Sequence, residues 1–310
     1  MSAWNWIASA VVAGGCLVAA LVEVPTTEAA TAHVNGQESE REREPNRAAG
    51  DALAFFWDTF QHHPERRDEA LARLSERALA DGAKDREVLT TGLAHLWAMA
   101  EGGGEPTIRH SHAVLAEHWL ARAAAADPDD TRIAGWRASA AKAIADFEHD
   151  EAGQATAVAR LQELAAADPC FHSVPLAIAA FDLPRTDPRF LSALAAMDAA
   201  FACGDERAGQ DHPRWPHNVA AFLVALADCR LKSGDVAGAE FALVVAEARA
   251  STVHWPHRQL LDERLATLRE RADLYADDDA ANDPPFALQG GVLSCSACHA
   301  APSPDAREQR

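Results

Sequence analysis

From about Asp51 onward the apolar positions recur with the period of an α-helix. Ala52, Phe55, Phe56 and Phe60 fall along one face, because residues three and four apart share a side of a helix. A second helix is expected over Glu65 to Ala80, after His62-His63-Pro64. A third is expected over Val88 to Met99, with Asp85 as its N-cap. Gly102-Gly103-Gly104 breaks that run and Pro106 opens the next helix. The last helix is expected from Pro256 to about Tyr275. There Leu261, Leu265, Leu268, Ala272 and Tyr275 make a seam one helix wide, suited to closing the end of a stack. The acidic, proline-bearing tract Asp277 to Pro285 then ends the helical body.

Between these ends a spacing repeats. Ala116, Leu120, Ala123 and Pro128 stand at offsets 0, 4, 7 and 12, and so do Ala157, Leu161, Leu164 and Pro169. Ala239, Leu243 and Ala246, preceded by Leu226-Ala227 and Gly234, repeat the first three. The pattern resembles the tetratricopeptide repeat over roughly residues 85–275. That resemblance implies an all-α fold, a tetratricopeptide-like α-solenoid of antiparallel helix pairs. In that family small residues let paired helices approach closely and a proline stops the second helix. Two positions depart from the family's pattern: Ser251 stands where the closing proline would be, and Arg230 where an aromatic is usual. A generic alanine-rich helical bundle is the other reading.

Composition agrees with helices. Hydrophobic residues make up 48% of the chain, alanine dominates them, and tyrosine occurs once. Strands draw on β-branched and aromatic residues, helices on Ala, Leu, Glu and Arg. The formal net charge of −19 repels phosphate backbones and argues against nucleic acid as a partner. It is compatible with a basic partner protein.

The N-terminus carries an address. Residues 3–24 are almost wholly apolar, with no charge before Glu23, and Ala30-Thr31-Ala32 suits signal peptidase. Residues 1–32 therefore read as a signal peptide or as an N-terminal membrane anchor, with inner-membrane anchoring through residues 3–24 in the second case. Either reading places the body outside the cytoplasm, periplasmic or exported. Residues 33–50 read as a disordered linker, 51–276 as the helical repeat domain, and 277–310 as a separate C-terminal segment.

That last segment holds Cys295-Ser296-Ala297-Cys298-His299, a C-x-x-C-H string that resembles the haem-attachment motif of c-type cytochromes. Two thiols at this spacing reach the two vinyl groups of one porphyrin, and the adjacent imidazole is directed at the iron. The resemblance implies one covalent haem c on Cys295 and Cys298, with His299 as an axial iron ligand. A plain disulfide and a metal site are the alternatives. No Met or His follows His299, so a sixth ligand has to come from the helical body. His217, in His212-Pro213-Arg214-Trp215-Pro216-His217, is the leading candidate, and His257, in His254-Trp255-Pro256-His257, the second. Met99 and Met197 fit core positions. Cys170 and Cys203 are expected in loops and are the better disulfide couple, while Cys229 is expected buried within a helix. His110 and His112 make a weak H-x-H, read as polar groups on the surface.

Three functions compete on this reading. They are an electron carrier with a redox or assembly partner on the repeat surface, an open-site haem that binds peroxide or a gas, and an interaction scaffold without haem whose Cys295 and Cys298 form a disulfide.

Overall fold

The computed structural model describes residues 52–60, 62–101, 105–207, 215–251, 255–277 and 282–288, with the backbone alone described for Glu101, 203–207 and 215–218. Among these residues every regular element is helical. Helix α1 covers 52–60 and a 3-10 turn covers Pro64–Arg66. There follow α2 (Arg67–Leu79), α3 (Asp85–Glu101), α4 (Pro106–Ala126), α5 (Thr131–Glu148), α6 (Glu151–Ala167) and α7 (Pro169–Ala180). The series closes with α8 (Pro188–Arg207), α9 (Trp215–Ser233), α10 (Val236–Ala250), α11 (Arg258–Ala266) and α12 (Leu268–Ala276). The fold is all-α.

Local signals place the boundaries. Asp130, Asp150 and Asp235 cap α5, α6 and α10 by accepting the amides of Arg132, Ala152 and Gly238, which satisfies donors that the first helical turn leaves unpaired. Prolines open α4 and α7, where a missing N–H costs nothing. Gly234 takes φ +93 between α9 and α10, a backbone that side chains resist. Two expectations shift. Asp85 is the first residue of α3 rather than its cap, and the amide of Lys84 donates to Glu87 Oε2 at 2.8 Å. The single closing helix is two, broken at Thr267 (φ −103, ψ 10). Its hydroxyl donates to the Glu263 carbonyl at 2.8 Å, a back-bond that bends helices.

From α2 to α10 each helix packs on its successor; α3 also packs on α5, α5 on α7, α6 on α8, and both α9 and α10 on α12. Short connections between packed neighbours make consecutive helices antiparallel. The repeated spacing is the buried seam of the second helix in each pair. Ala116, Leu120 and Ala123 are buried on α4, Ala157, Leu161 and Leu164 on α6, and Ala239, Leu243 and Ala246 on α10. A fourth set, Ala193, Met197 and Ala200, is buried on α8 at the same offsets. Met in the leucine place and Asp205 in the proline place hid it from sequence reading. Gly92 shows why small residues matter here. A Cβ on it would lie 2.8 Å from Leu120 Cγ, so α3 and α4 close up only because it is absent. Met99 and Met197 are both buried, as their spacing predicts.

The core runs in three patches along the array. Phe56 and Phe60 pack on Trp97 at the N-terminal end, Trp119 and Trp136 anchor the middle, and the largest patch reaches from α5 to α12. Phe286, Ala287 and Leu288 belong to that last patch, so the core continues past the final helix.

Candidate functional site

Residues 282–288 read Asn-Asp-Pro-Pro-Phe-Ala-Leu. Two successive prolines hold φ near −65° and supply no donors, so the segment cannot extend α12. Its backbone polar groups need partners wherever it is buried, and Pro284, Phe286, Ala287 and Leu288 are buried. The helical body supplies those partners from three helices.

Asp228 of α9 is the centre. Its Oδ2 accepts the amide of Ala287 at 2.8 Å, and its Oδ1 faces Arg271 Nη2 of α12 at 2.9 Å and Arg264 Nε of α11 at 3.2 Å. Both arginines reach over to the carbonyl of Pro285, at 3.0 Å from Arg264 and 3.4 Å from Arg271. The Tyr275 hydroxyl donates to the Pro284 carbonyl at 2.9 Å. Burial first, and then the charge of Asp228, hold that phenol well above the usual tyrosine range, which keeps it a donor. Lys232, one turn along α9, donates to Asp283 Oδ2 at 2.8 Å and to the Phe181 carbonyl at 2.7 Å. The Phe181 ring stacks on Phe286 at 4.2 Å between centroids. Asp228, Lys232, Arg264 and Arg271 are all buried. A buried charge left alone costs several kcal/mol, so these groups coexist only as a paired set.

The haem-like string Cys295 to His299 lies outside the described residues, as do residues 1–51 and the string's approach from residue 289 onward. His217 sits in the first turn of α9, its side chain not described. His257 occupies the N-cap of α11, with its ring 5.7 Å from that of Trp255. Both stand at helix starts, as their proline context predicts. The helices that begin with these two histidines are the ones that grip residues 283–287 through Asp228 and Arg264. Cys170 and Cys203 are not in loops. Cys170 is in the first turn of α7 and Cys203 near the end of α8, because Pro169 starts a helix and Gly204 continues one. Cys170 is disulfide-bonded, to a cysteine outside the described side chains. Cys229 is free and buried in α9, and burial pushes its thiol up. Neither described cysteine offers a surface thiol. Among the described residues no group of three or more metal-ligating side chains exists, and no helix is long and apolar enough to cross a membrane.

His110 and His112 are less alike than an H-x-H suggests. His110 pairs with Glu148 at 3.2 Å, whereas His112 Nδ1 meets Nδ1 of His95, on α3, at 3.0 Å. Sequence reading missed His95, which sits among apolar neighbours in the 88–99 run. Burial first, then His112, push His95 down to about 4. Its folded form therefore resists a proton that the unfolded chain accepts below about 6.5. Stability is present above that value and is lost as pH falls from about 6.5 towards 4. The expected loss from this residue alone is about 2 kcal/mol between pH 7 and pH 5. Urea titrations at the two pH values measure it, and His95→Gln should shrink the difference by that amount. An unchanged pH dependence in that variant would show that the acid sensitivity lies elsewhere.

No protein family matches the chain, and no curated protein or solved structure is similar to it.

Proposed function

We propose that this protein is an exported c-type haem protein that carries electrons to or from a partner docked on its helical body. Cys295-Ser296-Ala297-Cys298-His299 carries the reading, because each of its three functional side chains has a separate task. The Cys295 and Cys298 sulfurs would hold the porphyrin through thioethers, and the His299 imidazole would ligate its iron. When bound, the group supplies one-electron chemistry at iron, accepting an electron from a reduced partner and passing it to an oxidised one. His217 is the proposed sixth ligand. The tetratricopeptide-like pairing of helices supplies a broad surface for the partner, and the acidic chain favours one with a basic face. The apolar N-terminus, residues 1–32, delivers the body to the periplasm, cleaved or retained as an anchor. The disulfide at Cys170 is chemistry of an oxidising compartment and supports export.

A helical docking platform with Cys295 and Cys298 joined as a disulfide shares the fold and the destination. The two readings separate on one preparation. The chain is expressed in the periplasm with cytochrome c maturation machinery and run on a denaturing gel stained for haem. Haem is expected to stay with the polypeptide, and Cys298→Ser to leave a single thioether or no covalent haem. A ligated sixth position predicts no spectral change with carbon monoxide. A colourless product with the mass of bare polypeptide removes the haem reading and leaves the platform.

A further inference from the structure

We infer that residues 283–288 are a strap that fixes where the 295–299 string leaves the helical body, with Asp228, Lys232, Arg264, Arg271 and Tyr275 as its positioning residues. What the strap carries rests on the haem reading above; its docking does not.

Burial of Phe286 against Phe181 would hold the segment without setting its register, since apolar contact is non-directional. The hydrogen bonds do set it. The carbonyl of Pro284 is met by Tyr275, that of Pro285 by Arg264 and Arg271, and the amide of Ala287 by Asp228. A slip of one residue would put Asn282 or Pro284 where Lys232 meets the Asp283 carboxylate, and a slip of two would put Pro285, which has no N–H, where Asp228 needs a donor. Buried ion pairs are a poor means of adding stability, since apolar packing often does as well. Their best-attested use is to specify one arrangement. Lys232 closes the other end of the strap on Asp283.

The consequence is spatial. Cys295 stands seven positions past Leu288, and seven residues of fully extended chain span at most about 25 Å. Cys295 is thereby tethered within that distance of a strap held by α9, α11 and α12. His217 lies eleven residues before Asp228 on α9, about 16 Å along a helix. A redox partner is expected to approach the part of the body that holds the strap.

The test uses the full mature chain from the competent host. Hydrogen exchange at the Ala287 amide is expected to be slower than in unstructured chain by about a hundredfold or more. Asp228→Asn keeps the shape of the side chain and loses its charge. It should speed that exchange at least tenfold while amides of α4 and α5 keep their rates. The same variant should lose most of its Soret circular dichroism, which reports porphyrin held in a fixed protein frame, at unchanged far-ultraviolet signal. Asp283→Asn, at the less buried end, serves if Asp228→Asn folds poorly. Ala287 exchanging at the unstructured rate in wild type overturns the docking. A released strap with Soret dichroism unchanged overturns the positioning role. A protected Ala287 on a colourless chain upholds the strap and removes the haem reading instead.

Discussion

Asp228→Ala lowers the stability of the helical body by about 3–5 kcal/mol, a fall of roughly 10 °C in its thermal midpoint. The reason is what remains behind. Arg264 and Arg271 are buried and both face this one carboxylate. Their remaining partners include the Pro285 carbonyl, the exposed Glu263 beside Arg264 and the Tyr275 hydroxyl beside Arg271. The amide of Ala287 loses its acceptor as well. Asp228→Asn should cost less, because the amide oxygen still accepts from Ala287. Thermal melts followed by far-ultraviolet circular dichroism measure both. A midpoint for Asp228→Ala within about 2 °C of wild type would mean that water relieves the arginines and that the network is not buried in solution.

Phe286→Ala is the second large effect. A buried phenylalanine truncated in a packed core typically costs about 3–5 kcal/mol, and Phe286 is wholly buried and stacked on Phe181 with an interplanar angle of 10°. The strap is a late segment, however, and can detach while the helices stay folded. The loss is therefore capped at the free energy of docking the strap. Combining Phe286→Ala with Asp228→Ala should cost clearly less than the two separate losses together, since each releases the same segment. Strict additivity in urea-derived free energies would show that the two residues act on independent parts of the fold.

Much of this architecture is legible along the chain. The period of the apolar positions, the aspartate caps and the opening prolines mark the helices. The offsets 0, 4 and 7 mark the seam of each second helix, as Ala116, Leu120 and Ala123 on α4 illustrate. What escaped has identifiable causes. Ala193, Met197 and Ala200 lacked the leucine and proline that flagged the other sets. Thr267 interrupts a seam whose apolar period runs on unbroken. Cys170 was expected in a loop because a proline precedes it, yet a proline also starts helices. His95 was unremarkable until α4 brought His112 beside it.

Residue order alone makes the chain helical, paces its helices, and sets two thiols and an imidazole together in the C-terminal string. Each of these is written in residues within a turn or two of one another. That the proline-bearing tract after α12 is core rather than tail is a property of the packed molecule. Asp228 and Ala287 are 59 positions apart, and attraction between a carboxylate, two guanidinium groups and an amide depends on separation in space and on the exclusion of water. Neither exists until α9, α11 and α12 have packed.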